Sequence, residues 1–112
     1  MPKRKLIPLP SAAFQILLAL ADGDLHGYGI MRQVEDQTAG RTRLGPGTLY
    51  SSIQTLLEEK LIDEIEAAPT QERRRYYRLT SAGRKVARFE AERLADLLRV
   101  ARARKIFRGE NV

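Results

Sequence analysis

LGPGTLYSSIQTLLEEKLI, Leu44 to Ile62, decides how the rest of the chain is read. Pro46 suits the first position of a helix, because its fixed φ is helical and its missing N–H is one that no helix uses there. From it Leu49, Ile53, Leu56 and Leu57 recur at i, i+4, i+7 and i+8, one face of a helix reaching Lys60. Thr48, Ser51, Ser52, Thr55 and Glu58 fall on the opposite face. The helix therefore buries one side and shows small hydrogen-bonding side chains along the other.

Upstream, Ser11 is placed as the N-cap of an apolar helix, Ala12 to Ala21, which is hydrophobic nearly all round, as a central buried helix is. Asp22-Gly23-Asp24 ends it. Leu25 through Thr38 reads as a shorter helix with Ile30, Met31 and Val34 at helical spacing and Ala39-Gly40 as its stop. Downstream, Ile62 to Glu66 and Arg75 to Leu79 are rich in β-branched and aromatic residues, and Ala67 to Arg74 between them holds Pro69 and a charged tip, which predicts a hairpin. Thr80 caps a last helix that runs to about Arg108 and spans roughly 40 Å at the α-helical rise.

The fold class is thus mainly α with a small β-hairpin: a winged helix-turn-helix over residues 11–80, preceded by a basic arm, 1–10, and followed by a dimerisation helix in 81–112. The chain of 112 residues, 43% hydrophobic and 30% charged, suits one domain. The order three helices then hairpin also serves modules that bind proteins, so a protein-interaction adaptor without specific DNA binding is the alternative to a DNA-binding regulator.

Charge favours a polyanionic partner. The net charge is +6, and residues 71–108 carry thirteen Lys or Arg against Glu72, Glu90, Glu92 and Asp96. The helix from Pro46 has no Lys or Arg before Lys60, so the attraction must come from elsewhere. Arg73, Arg74 and Arg75 at the end of the hairpin loop are placed against the DNA backbone or minor groove, with Lys3, Arg4 and Lys5 as further phosphate contacts. A membrane-surface role for the arginine-rich last helix ranks third among the readings.

An enzyme is excluded by the residue inventory: no Cys, His26 as the one histidine, no phosphate loop of the Walker type and no paired carboxylates in a shared pocket. No cofactor and no metal are expected. Lys3-Arg4-Lys5 before an apolar stretch superficially resembles a secretory signal, but Pro8, Pro10 and Gln15 interrupt it, and no apolar run reaches eighteen residues. A cytoplasmic location without membrane partners is expected.

LHGYGIM (Leu25 to Met31), LGPGTLYSSIQTLLEEKLI and ERRRYYRLTSAGR (Glu72 to Arg84) together resemble the PadR family of transcriptional regulators, in its smaller subclass with a single C-terminal helix. The resemblance covers about residues 12–108 and implies repression by promoter occupancy. It also places Tyr50 among the DNA-contacting residues. On the residues alone, Tyr50 either donates to a phosphate or packs against the second helix, and Gln54, at the margin of the exposed face, either pairs with adenine or stays solvated.

The full interface expected is His26, Gly27 and Tyr28 at the start of the second helix; Pro46, Gly47, Thr48, Tyr50, Ser51, Gln54 and Thr55 on the third; and the three wing arginines. His26 is read as a cap or a packed histidine rather than a ligand-binding one. Val86, Phe89, Leu94, Leu97, Leu98 and Ala101 spread over half of the last helix, more apolar surface than one small domain covers, and are assigned to a homodimer. Glu90, Arg93 and Arg104 interrupt that face. A symmetric pair sets two recognition helices about 34 Å apart and predicts an inverted-repeat operator. A small-molecule effector is left open and unidentified; the lack of tryptophan disfavours the aromatic sandwich of some relatives, and Tyr76, Tyr77 and Phe89 are read as core or wing packing.

Overall fold

Residues 9–66 and 75–106 are described by the computed structural model, and within them the elements run α1 (Ser11–Ala19), β1 (Leu25–His26), α2 (Gly27–Gln37), α3 (Pro46–Glu58), β2 (Ile62–Glu66), β3 (Arg75–Leu79) and α4 (Ser81–Ala103). α1 lies at the centre and packs against α2, α3 and α4. Ile16 and Leu17 of α1, Ile30 and Val34 of α2, Leu49 and Leu56 of α3 and the Leu61-Ile62 pair are sealed from solvent in one core. Each aliphatic side chain so buried contributes roughly 1.5–3 kcal/mol against chain entropy.

The start of α1 differs from the sequence reading. Pro10, not Ser11, is the N-cap; its extended backbone (ψ 147°) turns its carbonyl to the Phe14 N–H at 2.9 Å. No side chain caps the helix, because the Ser11 hydroxyl accepts from Gln15 Nε2 (3.3 Å) instead. α1 also closes two residues early, at Ala19, in a turn where Ala21 and Gly23 donate to Leu18 and Leu20.

A second difference concerns Leu25 and His26, expected in a helix. They form a short third strand, antiparallel to β3, with Leu25 opposite Tyr77 and His26 opposite Tyr76. The sheet order is β1-β3-β2. Leu25, Tyr77 and Leu79 share the core face, while His26, Tyr76 and Ile65 share the outer face, His26 and Tyr76 with ring centroids 5.3 Å apart. The hairpin strands themselves fall at the expected residues, Ile62 opposite Leu79 through Glu66 opposite Arg75.

α4 begins in a tight joint. The Thr80 hydroxyl accepts from the Gly83 N–H at 2.9 Å, as expected of a cap, and reaches the carbonyls of Lys60 (2.9 Å) and Leu61 (3.0 Å). This ties the start of α4 to the turn that follows α3. A Cβ on Gly83 would overlap the Leu61 carbonyl oxygen, so only glycine lets the helix approach this backbone. At its other end α4 stops at Ala103, five residues before the expected Arg108: Lys105 turns left-handed (φ 59°) and Ile106 N–H closes on the Ala101 carbonyl at 3.0 Å. Its length is therefore nearer roughly 35 Å.

Candidate nucleic-acid interface

α3 owes its orientation to Leu49, Ile53 and Leu56, which sink into the core and turn the opposite side outward. The most outward stripe is Gly47, Tyr50, Ser51, Gln54 and Glu58, at i, i+3, i+4, i+7 and i+11. Gln54 thus stands in the middle of the exposed face rather than at its margin, with its Nε2 donating to Glu58 Oε2 at 3.3 Å. Thr48 is exposed beside the stripe, whereas Ser52 and Thr55 are half-buried flanks and the Thr55 hydroxyl donates to the Ser51 carbonyl at 3.2 Å. Leu57, expected on the buried face, is only half-buried.

The first turn of α3 is open. Gly45 is its N-cap without any side-chain cap, Pro46 takes the first helical positions, and added Cβ atoms at Gly45 or Gly47 would meet nothing within 4 Å. An anion can reach this backbone without obstruction.

α2 starts against α3. His26 is the N-cap, with Nδ1 accepting from the Gly29 N–H at 2.8 Å, in keeping with a capping histidine. Gly27 is buried beneath the Tyr50 hydroxyl, which occupies the space a side chain at 27 would need. Tyr50 therefore leans across the start of α2 and still leaves 52% of its surface in solvent, so packing and exposure coexist. Tyr28, 59% exposed, continues this surface, and Arg32 donates to its hydroxyl at 3.3 Å. Arg32 was not singled out from the sequence, where it is one of twenty basic residues; its spacing of four from Tyr28 on a helix is the signal that finds it.

The wing is described only at its stem. Arg73 and Arg74 lie outside the described residues, as do Lys3, Arg4 and Lys5. Arg75 is the exposed first residue of β3, not part of the loop, and its Nε lies 3.4 Å from Glu64 of the neighbouring strand. Its charge is shared with that carboxylate.

On α4 only Gly83 and Glu90 are buried, and beyond Glu90 every residue through Ala103 is exposed except the half-exposed Arg93 and Ala101. Phe89 (61% exposed), Leu94, Leu97, Leu98 and Val100 stand in solvent, and so does Leu18 of α1. Phe89 is thus neither core nor wing packing, while Tyr77 is core and Tyr76 packs on His26. Val86, assigned to the dimer from the sequence, is half-buried and packs against the domain's own core. Val100 was missed.

Glu90 is the polar exception, 4% exposed. Arg93 grips both its carboxylate oxygens at 2.6 and 3.0 Å, a forked charge-assisted pair. The Arg93 hydrogen bond, aided by one from the Leu9 backbone, holds the Glu90 carboxyl below its ordinary range against the opposing effect of burial. Since the folded value is depressed, its stabilisation is whole above the unfolded-state value and disappears as pH falls through the folded one. Glu90→Gln should therefore be less stable than the parent at neutral pH, with the gap between them narrowing below about pH 4, as urea titrations across the pH range can read. A constant gap down to pH 2 would exclude the ion pair as its source.

The Transcriptional regulator PadR-like family model matches residues 16–89, from the middle of α1 into α4. The chain belongs to this family. A protein from transposon TN4556 of Streptomyces fradiae is 42% identical over 86 residues, which cover 77% of this chain and 24% of that protein; the chain spans about a quarter of this relative's length. Among solved structures, a transcriptional regulator from Clostridium thermocellum superposes with a TM-score of 0.72 at 28% identity, covering 81% of this chain and 89% of that one. PadR of Bacillus subtilis, determined in complex with operator DNA, shares the fold at a TM-score of 0.63 and 20% identity, covering 70% of this chain and 46% of that one. The PadR-like fold is a winged helix, and β1 supplies the third strand of its small sheet.

No helix among the described residues is long and apolar enough to cross a membrane.

Proposed function

We propose that this PadR-like regulator binds double-stranded DNA sequence-specifically as a homodimer, with α3 in the major groove. The observation that carries this is the exposed stripe of α3, polar and free of charge up to Glu58, mounted on a family member's winged helix. The operator complex of the Bacillus relative supports the same choice of partner.

Base reading falls to Gln54 and Ser51 at the centre of the stripe. A glutamine amide pairs with the N6 and N7 of adenine, and Glu58, already bonded to Gln54, orients that amide. Thr48, and Thr55 from the flank, contribute shape and methyl contacts. Phosphates are held by the open first turn of α3 at Pro46 and Gly47, by Tyr50 and Tyr28, with His26 and Gly27 setting the start of α2, and by Arg73, Arg74 and Arg75 of the wing. Gln54→Ala should cost about 1–3 kcal/mol against the preferred base at one position of each half-site and little on unrelated DNA, as competition between single-base operator variants can measure. Equal loss on every duplex would move Gln54 from base reading to backbone contact.

Dimerisation through the solvent-facing Phe89, Leu94, Leu97, Leu98, Val100 and Ala101 buries an apolar surface that the protomer leaves in water. Two-fold symmetry then presents two α3 helices about 34 Å apart to an inverted repeat. Repression by promoter occupancy, in the cytoplasm, is the mode that the family resemblance implies. Selection of bound sites from random DNA tests the whole reading: two-fold symmetric sites with half-sites one helical turn apart are expected, and recovery of no enriched sequence would favour the protein-interaction adaptor.

A further inference from the structure

α3 offers no cation to DNA along its exposed stripe, and Lys60 lies beyond its C-terminus in a left-handed turn. A chain of contacts leads from that stripe to a cation on α2, Arg32. Tyr50 of α3 rests its hydroxyl over Gly27; the next residue, Tyr28, projects its ring into solvent; and one turn along α2 the Arg32 guanidinium sits over that ring, 5.7 Å from its centroid, with Nη1 donating to the Tyr28 hydroxyl. We propose that Tyr28 and Arg32 form a built phosphate site for the DNA backbone beside the groove that α3 enters. This rests on the DNA-binding reading above and adds Arg32 to it.

The chemistry suits an anion with several oxygens. Because the Tyr28 hydroxyl accepts from Arg32, its own proton is free to donate outward, and the guanidinium keeps further N–H groups for the same phosphate. The hydrogen bond and the cation–π contact with Tyr28 favour one placement of the long arginine side chain, so less freedom is lost on binding than a solvated arginine would lose. Two acids of the same helix, Glu35 and Asp36, lie beside it and draw on its charge. Glu35 is also held by Arg43 at 3.0 Å, while Arg32 gives its Nη1 to the Tyr28 hydroxyl. With Arg32, Arg41 and Arg43 against Glu35 and Asp36, residues 32–43 keep a net charge of +1.

The test measures affinity of the full chain for a selected operator and for an unrelated duplex between 50 and 200 mM salt, with Arg32→Gln, Arg32→Lys and Tyr28→Phe. Arg32→Gln is expected to weaken both duplexes alike, about tenfold, and to flatten the slope of log affinity against log salt by about 1 for each protomer bound. Arg32→Lys should keep the slope, and Tyr28→Phe should keep the slope with a smaller loss, since the ring stays under the guanidinium. A parent that binds duplex DNA while Arg32→Gln binds with undiminished affinity and slope overturns this inference alone. Loss confined to the operator also overturns it, since it would make Arg32 a base reader. A parent indifferent to DNA at low salt overturns the DNA-binding reading and this inference together.

Discussion

Gly83→Ala is expected to lower the thermal midpoint by about 15 °C, which at about 3 kcal/mol makes it the most damaging single-methyl addition in the described fold. The new Cβ would fall on the Leu61 carbonyl oxygen and against Leu79 Cδ1. A side chain in the way can rotate aside; this carbonyl cannot, because it already accepts from the Thr80 N–H at 3.1 Å and receives the Thr80 hydroxyl at 3.0 Å. To make room, α4 must lift from the turn after α3, which breaks the Thr80 cap and uncovers Leu61 and Ile62. The control is Gly23→Ala, where nothing lies within 4 Å and a change under about 0.5 kcal/mol is expected. Circular-dichroism melts of the two variants decide it: equal midpoints would show that α4 can shift at no cost.

The second large effect is on assembly. Leu97→Asp places a carboxylate on a side chain that is 53% exposed in the protomer and is proposed to be covered in the dimer. The isolated fold has no reason to suffer, since Leu97 touches none of its core. A dimer would have to bury an unpaired charge, which costs several kcal/mol and is avoided by dissociation. The variant should sediment as a monomer at micromolar concentration, lose the concentration dependence of its melting midpoint, and bind an inverted-repeat operator about 100-fold more weakly, because the second half-site no longer binds in tethered form. A variant that stays dimeric with full operator affinity would remove Leu97 and its neighbours from the interface. Glu90 sharpens this expectation: read as an intrusion on the apolar face, it is in fact buried and gripped by Arg93 within one protomer, so it asks nothing of a partner.

Local pattern in the chain located most elements whose physical cause was local. Helical spacing of leucines from Pro46 oriented α3, and Thr80 marked the cap of the last helix. β-Branched and aromatic runs located β2 and β3. It failed where the cause was remote. Leu25 and His26 continue a plausible helix locally, yet the strand that claims them is β3, some fifty residues away. One failure was local: Ser11 is a good cap by type, but its neighbour Pro10 supplies the extended backbone and its carbonyl. Gln54 moved from margin to centre of the exposed face because Leu57, which spacing alone puts on the buried face, is only half-buried, so that face is narrower and centred on Leu49, Ile53 and Leu56.

The stretch from Leu44 to Ile62, with the hairpin and cap beyond it, determined by itself that this is a winged helix and which helix faces outward, since apolar periodicity, proline and strand propensity act within a few residues. Only the tertiary structure decided which side chains work together. It put the Tyr50 hydroxyl over Gly27, brought Arg32 to the edge of the same surface, paired Arg75 with Glu64, and separated Val86, half-buried against the core, from Phe89 and Leu97 in solvent. Those relations depend on how the helices cross, and crossing is fixed by close packing of side chains distant in the chain.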